Sequence, residues 1–129
     1  MARGIIKRGP EKSDAVIIGL IGDLGAGKTT FAQGFARALG VRGRLPSPTF
    51  LFYRAYPIPR SSRVLVHADM YRVRKLSELQ PLKFRELLRN PENIVLIEWA
   101  DKIKKILPKS TKWVTLAHGR NMRERFISL

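Results

Sequence analysis

The sequence predicts an α/β fold, with a mostly parallel central sheet between helices. Three observations carry that prediction. Residues 15–21 and 94–97 are continuously apolar and β-branched, as strands buried on both faces of a sheet are. Helix-compatible stretches separate these runs and a third strand at 63–69. A glycine-rich loop, Gly22-Asp23-Leu24-Gly25-Ala26-Gly27-Lys28-Thr29, joins the first run to the first helical stretch. A chain of 129 residues holds one core of useful size, so residues 1–129 are expected to form a single domain.

The loop carries the chemistry. It has the G-x-x-x-x-G-K-T pattern of a phosphate-binding P-loop, in the strand–loop–helix context the pattern requires. Its glycines allow positive φ, so that successive N–H groups converge on a phosphate. The helix start adds unpaired N–H donors and the positive end of a dipole. Asp23, Gly25, Ala26, Gly27, Lys28, Thr29 and Thr30 are therefore the candidate nucleotide-binding segment. Lys28 is expected to reach the β- and γ-phosphates, and the Thr29 hydroxyl to ligate Mg²⁺. Four fixed positions arise by chance in roughly one chain of this length in a few hundred, so the expected fold is a three-layer P-loop NTPase.

The elements follow in order. Residues 4–7 suit a short edge strand, and 9–14 a turn. In the helix at 30–39, Phe31, Phe35, Ala38 and Leu39 share the face toward the sheet, and Gly40 stops it. A basic loop stiffened by Pro46 and Pro48 leads to an aromatic strand at 50–56 and a turn at 57–62. The strand at 63–69 ends in Asp69, and the chain becomes helical near Ser77. Residues 81–89 read as a helix with Leu82, Leu87 and Leu88 inward. The run at 94–97 is followed directly by Glu98 and Trp99. Asp101 is placed to cap a helix through Leu107, and 113–117 with 125–127 suit a hairpin.

Composition bounds the function. Twenty-five Lys and Arg against ten Asp and Glu leave a net charge of +15, which draws polyanions, whether RNA or an acidic protein surface. The basic residues are spread along the chain, so a general basic bias explains them as readily. No apolar run approaches a membrane span, and the basic start lacks a signal-peptide core. With no cysteine there is no disulfide or thiolate metal site. Together with a nucleotide site, these features point to the cytoplasm and away from membranes.

Hydrolysis needs carboxylates beside the phosphates. Asp69 and Glu98 each end a strand, and in a parallel sheet the carboxyl ends of strands line the crevice that holds the P-loop. Thr49 is the third candidate, as a loop hydroxyl that reports the γ-phosphate, although a loop threonine is as readily a turn residue. His67 and His118 are assigned to packing or surface, and Trp99 to packing.

Taken in order, the loop with Thr30, then Ser47-Pro48-Thr49-Phe50, His67-Ala68-Asp69-Met70-Tyr71-Arg72 and Ile97-Glu98-Trp99 resemble the TsaE (YjeE) ATPases. The resemblance runs from Ala15 to about Pro108, and Glu124-Arg125-Phe126-Ile127 looks like that family's final strand. It implies an ATPase that supports threonylcarbamoyladenosine modification of tRNA with the TsaB–TsaD pair. It further implies that Lys28 and Thr29 bind phosphate and Mg²⁺, that Thr49 is switch-like, that Asp69 positions or deprotonates water, and that Glu98 holds Mg²⁺. The basic 72–75 stretch departs from the family's pattern, and the charge suits tighter contact with tRNA or with an acidic partner face. No arginine finger is evident, so hydrolysis by the chain alone is expected to be slow. Two alternatives stay open: a P-loop small-molecule kinase, and a nucleotide-gated binding module.

Overall fold

The computed structural model describes residues 14–22, 27–43, 52–118 and 125–128. Its centre is a six-stranded sheet in the order β2-β3-β4-β1-β5-β6. The strands are β1 (Val16–Gly22), β2 (Tyr53–Pro57), β3 (Val64–Asp69), β4 (Asn93–Glu98), β5 (Lys112–His118) and β6 (Arg125–Ser128). The middle four run parallel, while β2 lies antiparallel to β3 and β6 antiparallel to β5. The hairpin expected across the chain end is the β5–β6 pair, with Leu116 opposite Ile127.

Period-two alternation divides the apolar residues between two cores. Ile18 and Leu20 of β1, Leu65 of β3, Ile94 and Leu96 of β4, and Val114 and Leu116 of β5 face one side. There they meet Ala32, Phe35 and Ala36 of α1 (Lys28–Ala38). Ile17, Val66, Ala68, Val95 and Ile97 face the other side. That face is covered by shorter pieces, namely η1 (Leu76–Leu79), α2 (Phe84–Arg89) and η2 (Ala100–Ile106), of which η1 and η2 are 3₁₀ helices. Burial on both faces explains why the central runs are continuously apolar.

Close approach on the second face depends on Gly19. A Cβ there would lie 2.9 Å from both Ala100 Cβ and the Trp113 ring, so only glycine lets η2 seat this near β1. Helix α1 ends as expected, with Leu39 as its cap and Gly40 at φ 91° donating to the Arg37 carbonyl.

Two expectations are corrected. Asp101 does not cap η2: the cap is Trp99, in the left-handed region at φ 58°, with no side-chain bond to the helix, and Asp101 lies exposed in the first turn. The helix at 81–89 is also shorter. Lys83 turns left-handed at φ 54°, and α2 starts only at Phe84. Its inward side is then Phe84 and Leu88, one helical turn apart, while Leu82 and Leu87 are half-buried. The edge strand at 4–7 lies outside the described residues, as does the loop at 44–51 that carries Thr49.

Candidate active site

The carboxyl ends of β1, β3 and β4 lie side by side. Asp69 pairs in register with Glu98, and Leu20 pairs with Glu98 from the other side. Alternation puts His67 and Asp69 on the same face as Leu65, and Glu98 on the same face as Ile94 and Leu96. That is the α1 face. Three side chains from two strands are thereby aimed at the entrance to one helix.

Lys28, the first residue of α1, is 5% exposed. Its ammonium donates to the Gly22 carbonyl at 2.6 Å and lies 4.0 Å from the Trp99 ring centroid. Gly22 leaves the strand at φ 148°, where a Cβ would run into the Leu116 carbonyl oxygen. Gly27 precedes the helix in the left-handed region at φ 98°. Among the described residues no side chain caps α1, and no acid stands in its first turn. Thr29 and Thr30 are exposed at that helix start. Asp23, Gly25 and Ala26 lie outside the described residues.

Glu98 is 6% exposed and is held by His67, which is 2% exposed, through a 2.6 Å contact between Nε2 and Oε2. The contact fixes which way the carboxylate points. Among the described residues, the buried His67 Nδ1 has no hydrogen-bond partner. Sequence reasoning assigned His67 to packing and missed this contact. The available signal was its position two residues before Asp69, which on a strand means the same face.

Asp69 is half-buried, and Oδ1 accepts from the Tyr71 N–H at 3.0 Å. Burial, the largest influence, holds its carboxyl above the ordinary value of 3.8. The Tyr71 hydrogen bond pulls the other way, the Glu98 charge adds to the rise, and His67 and Lys28 oppose it. A carboxylate made more basic in this way suits proton abstraction or the orientation of water.

Trp99 is the second residue the sequence assigned to packing ahead of a role at the nucleotide. Its left-handed backbone, of a kind that costs about 1–3 kcal/mol in a non-glycine residue, turns it out of β4. There it lies beneath Lys28, with its ring 5.2 Å from that of Tyr71.

Comparison with known proteins gives this arrangement a family. Residues 3–127 match the model of the family described as Threonylcarbamoyl adenosine biosynthesis protein TsaE. The chain is 37% identical over 109 residues to a tRNA threonylcarbamoyladenosine biosynthesis protein TsaE of Haemophilus influenzae, covering 84% of this chain and 67% of that one. It is 40% identical over 112 residues to the Bacillus subtilis protein of that name, covering 84% and 66%. Against the Streptomyces coelicolor protein, at 38% identity over 86 residues, the match spans 66% of this chain and 57% of the relative's length. The crystal structure of Bacillus subtilis YdiB superposes with a TM-score of 0.67 at 29% identity, over 98% of this chain and 75% of that one. The chain belongs to the TsaE family.

Proposed function

We propose that the chain is a single-domain P-loop ATPase of three layers that supports threonylcarbamoyladenosine modification of tRNA. The observation that carries the proposal is the convergence of Lys28, Asp69 and Glu98, from three separate elements, on the start of α1. The relatives described above are named for that process. A site of this composition has the parts that phosphoryl transfer to water requires: a phosphate cradle, a cation, and two carboxylates of different character.

The residues present fit Mg·ATP. An uncapped helix start without acids, preceded by a left-handed glycine, favours a bound phosphate. Thr29 offers a hydroxyl at that position, and Glu98 is already oriented by His67. Thr29 and Glu98 are the residues that would hold Mg²⁺, Glu98 through water. Bound there, the ion would neutralise charge on the transferring phosphoryl group.

The chain's own groups then divide the work. Lys28 exchanges the Gly22 carbonyl for phosphate oxygens. Asp69 orients the attacking water and accepts its proton, the role its raised pKa suits best. His67 keeps Glu98 pointed at the crevice. Thr49 supplies the hydroxyl that reports the γ-phosphate. The partner is the TsaB–TsaD pair, which speeds a slow basal reaction, and the reaction takes place in the cytoplasm. No helix among the described residues is long and apolar enough to cross a membrane.

The test is phosphate release from ATP by the chain alone, then with TsaB–TsaD, then with tRNA added. Stimulation by the pair that is lost in Lys28→Ala supports the reading. Absence of both hydrolysis and association with the pair overturns it.

A further inference from the structure

Beside the site the surface changes character. After Asp69 the chain runs through residues 71–75 into η1, and after Glu98 it turns through Trp99 into η2. The two exits touch: the Lys102 ammonium donates to the Tyr71 carbonyl and lies 5.2 Å from the centroid of its ring. Residues of both exits line one open cleft of about 510 Å³. Arg72, Arg74 and Lys102 line it and are exposed, as are Lys75 and Lys105 on the same two segments, while the Lys104 ammonium lies over the Trp113 ring, 5.9 Å from its centroid. Two acids on these segments, Glu78 and Asp101, offset part of that charge and leave it positive. Glu78 Oε1 accepts from the Arg74 and Lys75 N–H groups, each at 2.9 Å, which leaves Asp101 as the other acid nearby.

One more feature decides what such a surface suits. Tyr71 is 49% exposed, and among the described residues it is the one large hydrophobic side chain that is exposed. A protein partner is normally met by a contiguous apolar centre with charges at the rim. Here the order is reversed, with charges throughout and a single ring at the cleft. Cations flanking an exposed aromatic are the means by which single strands are held, phosphates on Lys and Arg and an unpaired base on the ring. A cleft of this size accommodates one nucleotide.

We propose that residues 71–75, with Lys102 and Lys105 of η2, form a binding surface for single-stranded nucleic acid, with Tyr71 as the stacking platform. The surface is separate from the phosphate cradle of α1 and does not depend on hydrolysis. Its place beside Asp69 and Trp99 puts a bound strand next to the nucleotide site.

The experiment is fluorescence anisotropy of the full chain with a labelled fifteen-nucleotide RNA, and with DNA of the same sequence, without ATP and at several salt concentrations. Binding of either strand at physiological salt supports the proposal, and the comparison of arms tells which sugar is preferred. Lys75→Glu/Lys102→Glu/Lys105→Glu is expected to weaken binding at least about tenfold and to lower the salt slope by about two, at roughly 0.7 per single-strand phosphate contact. Arg37→Glu/Arg54→Glu/Arg60→Glu removes the same charge from exposed positions elsewhere and should change affinity by less than about threefold. Tyr71→Ala should weaken binding about 5- to 150-fold at an unchanged salt slope, the stacking share, with Tyr71→Trp restoring it. Should the triple Lys variant fail to melt cooperatively, the Tyr71 pair carries the test alone. Equal loss in both triple variants overturns the proposal, as does an affinity indifferent to Tyr71. Displacement of the strand by polyglutamate at matched charge overturns it in favour of an acidic protein face.

Discussion

The two faces of the sheet are covered in opposite ways. One carries α1, eleven regular residues whose Ala32, Phe35 and Ala36 seal a core of alternate strand residues. The other carries two 3₁₀ pieces and a six-residue helix, the second 3₁₀ piece kinked at Ile103. The regular face holds the helix start, His67, Asp69 and Glu98. The fragmented face holds Tyr71 and the Lys-rich surface. Preorganised chemistry sits where a long helix can be aimed by its own periodicity, and a broad cationic surface sits where short segments expose most of their residues.

That contrast can be broken first at the fragmented face. Phe84 is fully buried and is the main anchor of α2. Phe84→Ala should cost about 3–5 kcal/mol in urea unfolding, despite lying in the least regular cover. A loss below about 1 kcal/mol would mean that this face contributes little to the fold.

Next in size is the pair at the regular face. If His67 orients Glu98, His67→Leu should lower phosphate release about 10- to 100-fold and raise the Mg²⁺ concentration for half-maximal rate. His67→Gln, which keeps a donor near the Nε2 position, should recover most of both. Equal defects in the two variants would assign His67 to packing.

The contact between the faces is probed at Gly19. Gly19→Ala must displace Ala100 or the Trp113 ring, at a cost of about 1–3 kcal/mol. Because η2 follows Trp99 directly, the fluorescence of Trp99 should shift as well, measured with Trp113 replaced by Phe. An unchanged spectrum would uncouple η2 from the site.

A smaller effect concerns pH. Burial raises the Asp69 carboxyl above 3.8, so the folded protein binds the proton more tightly than the unfolded chain. Stability therefore falls as pH rises from the unfolded value through the raised one, and above that window the penalty is fully present. Asp69→Asn should unfold at a higher temperature than wild type at neutral pH, and the gain should vanish below pH 3.8. A variant less stable at neutral pH would show that the carboxylate is held favourably. The smallest effect is expected at Asp101, where replacement by Ala should cost under about 0.5 kcal/mol, against the ~1 kcal/mol of a genuine cap.

Much of this molecule was written locally in the chain. The strands at 15–21 and 94–97 could be read because burial on both faces demands unbroken apolar runs. The strand-end positions of Asp69 and Glu98 could be read because each closes a run of strand residues. Periodicity over eleven residues also made α1 plain. Six residues of α2 offer less than two turns, and its register was set by Lys83 turning left-handed, which no periodicity announces.

Contacts between distant residues were decided only by the tertiary structure. His67 and Glu98 are 31 positions apart, and their 2.6 Å bond exists because β3 and β4 pair in parallel with Asp69 opposite Glu98. Trp99 reaches Lys28 because the chain leaves β4 in a left-handed turn, and η2 fits against β1 because Gly19 faces Ala100. Patterning along a chain specifies what each segment buries. Register and close approach, which depend on pairs of segments, specify what the buried groups touch.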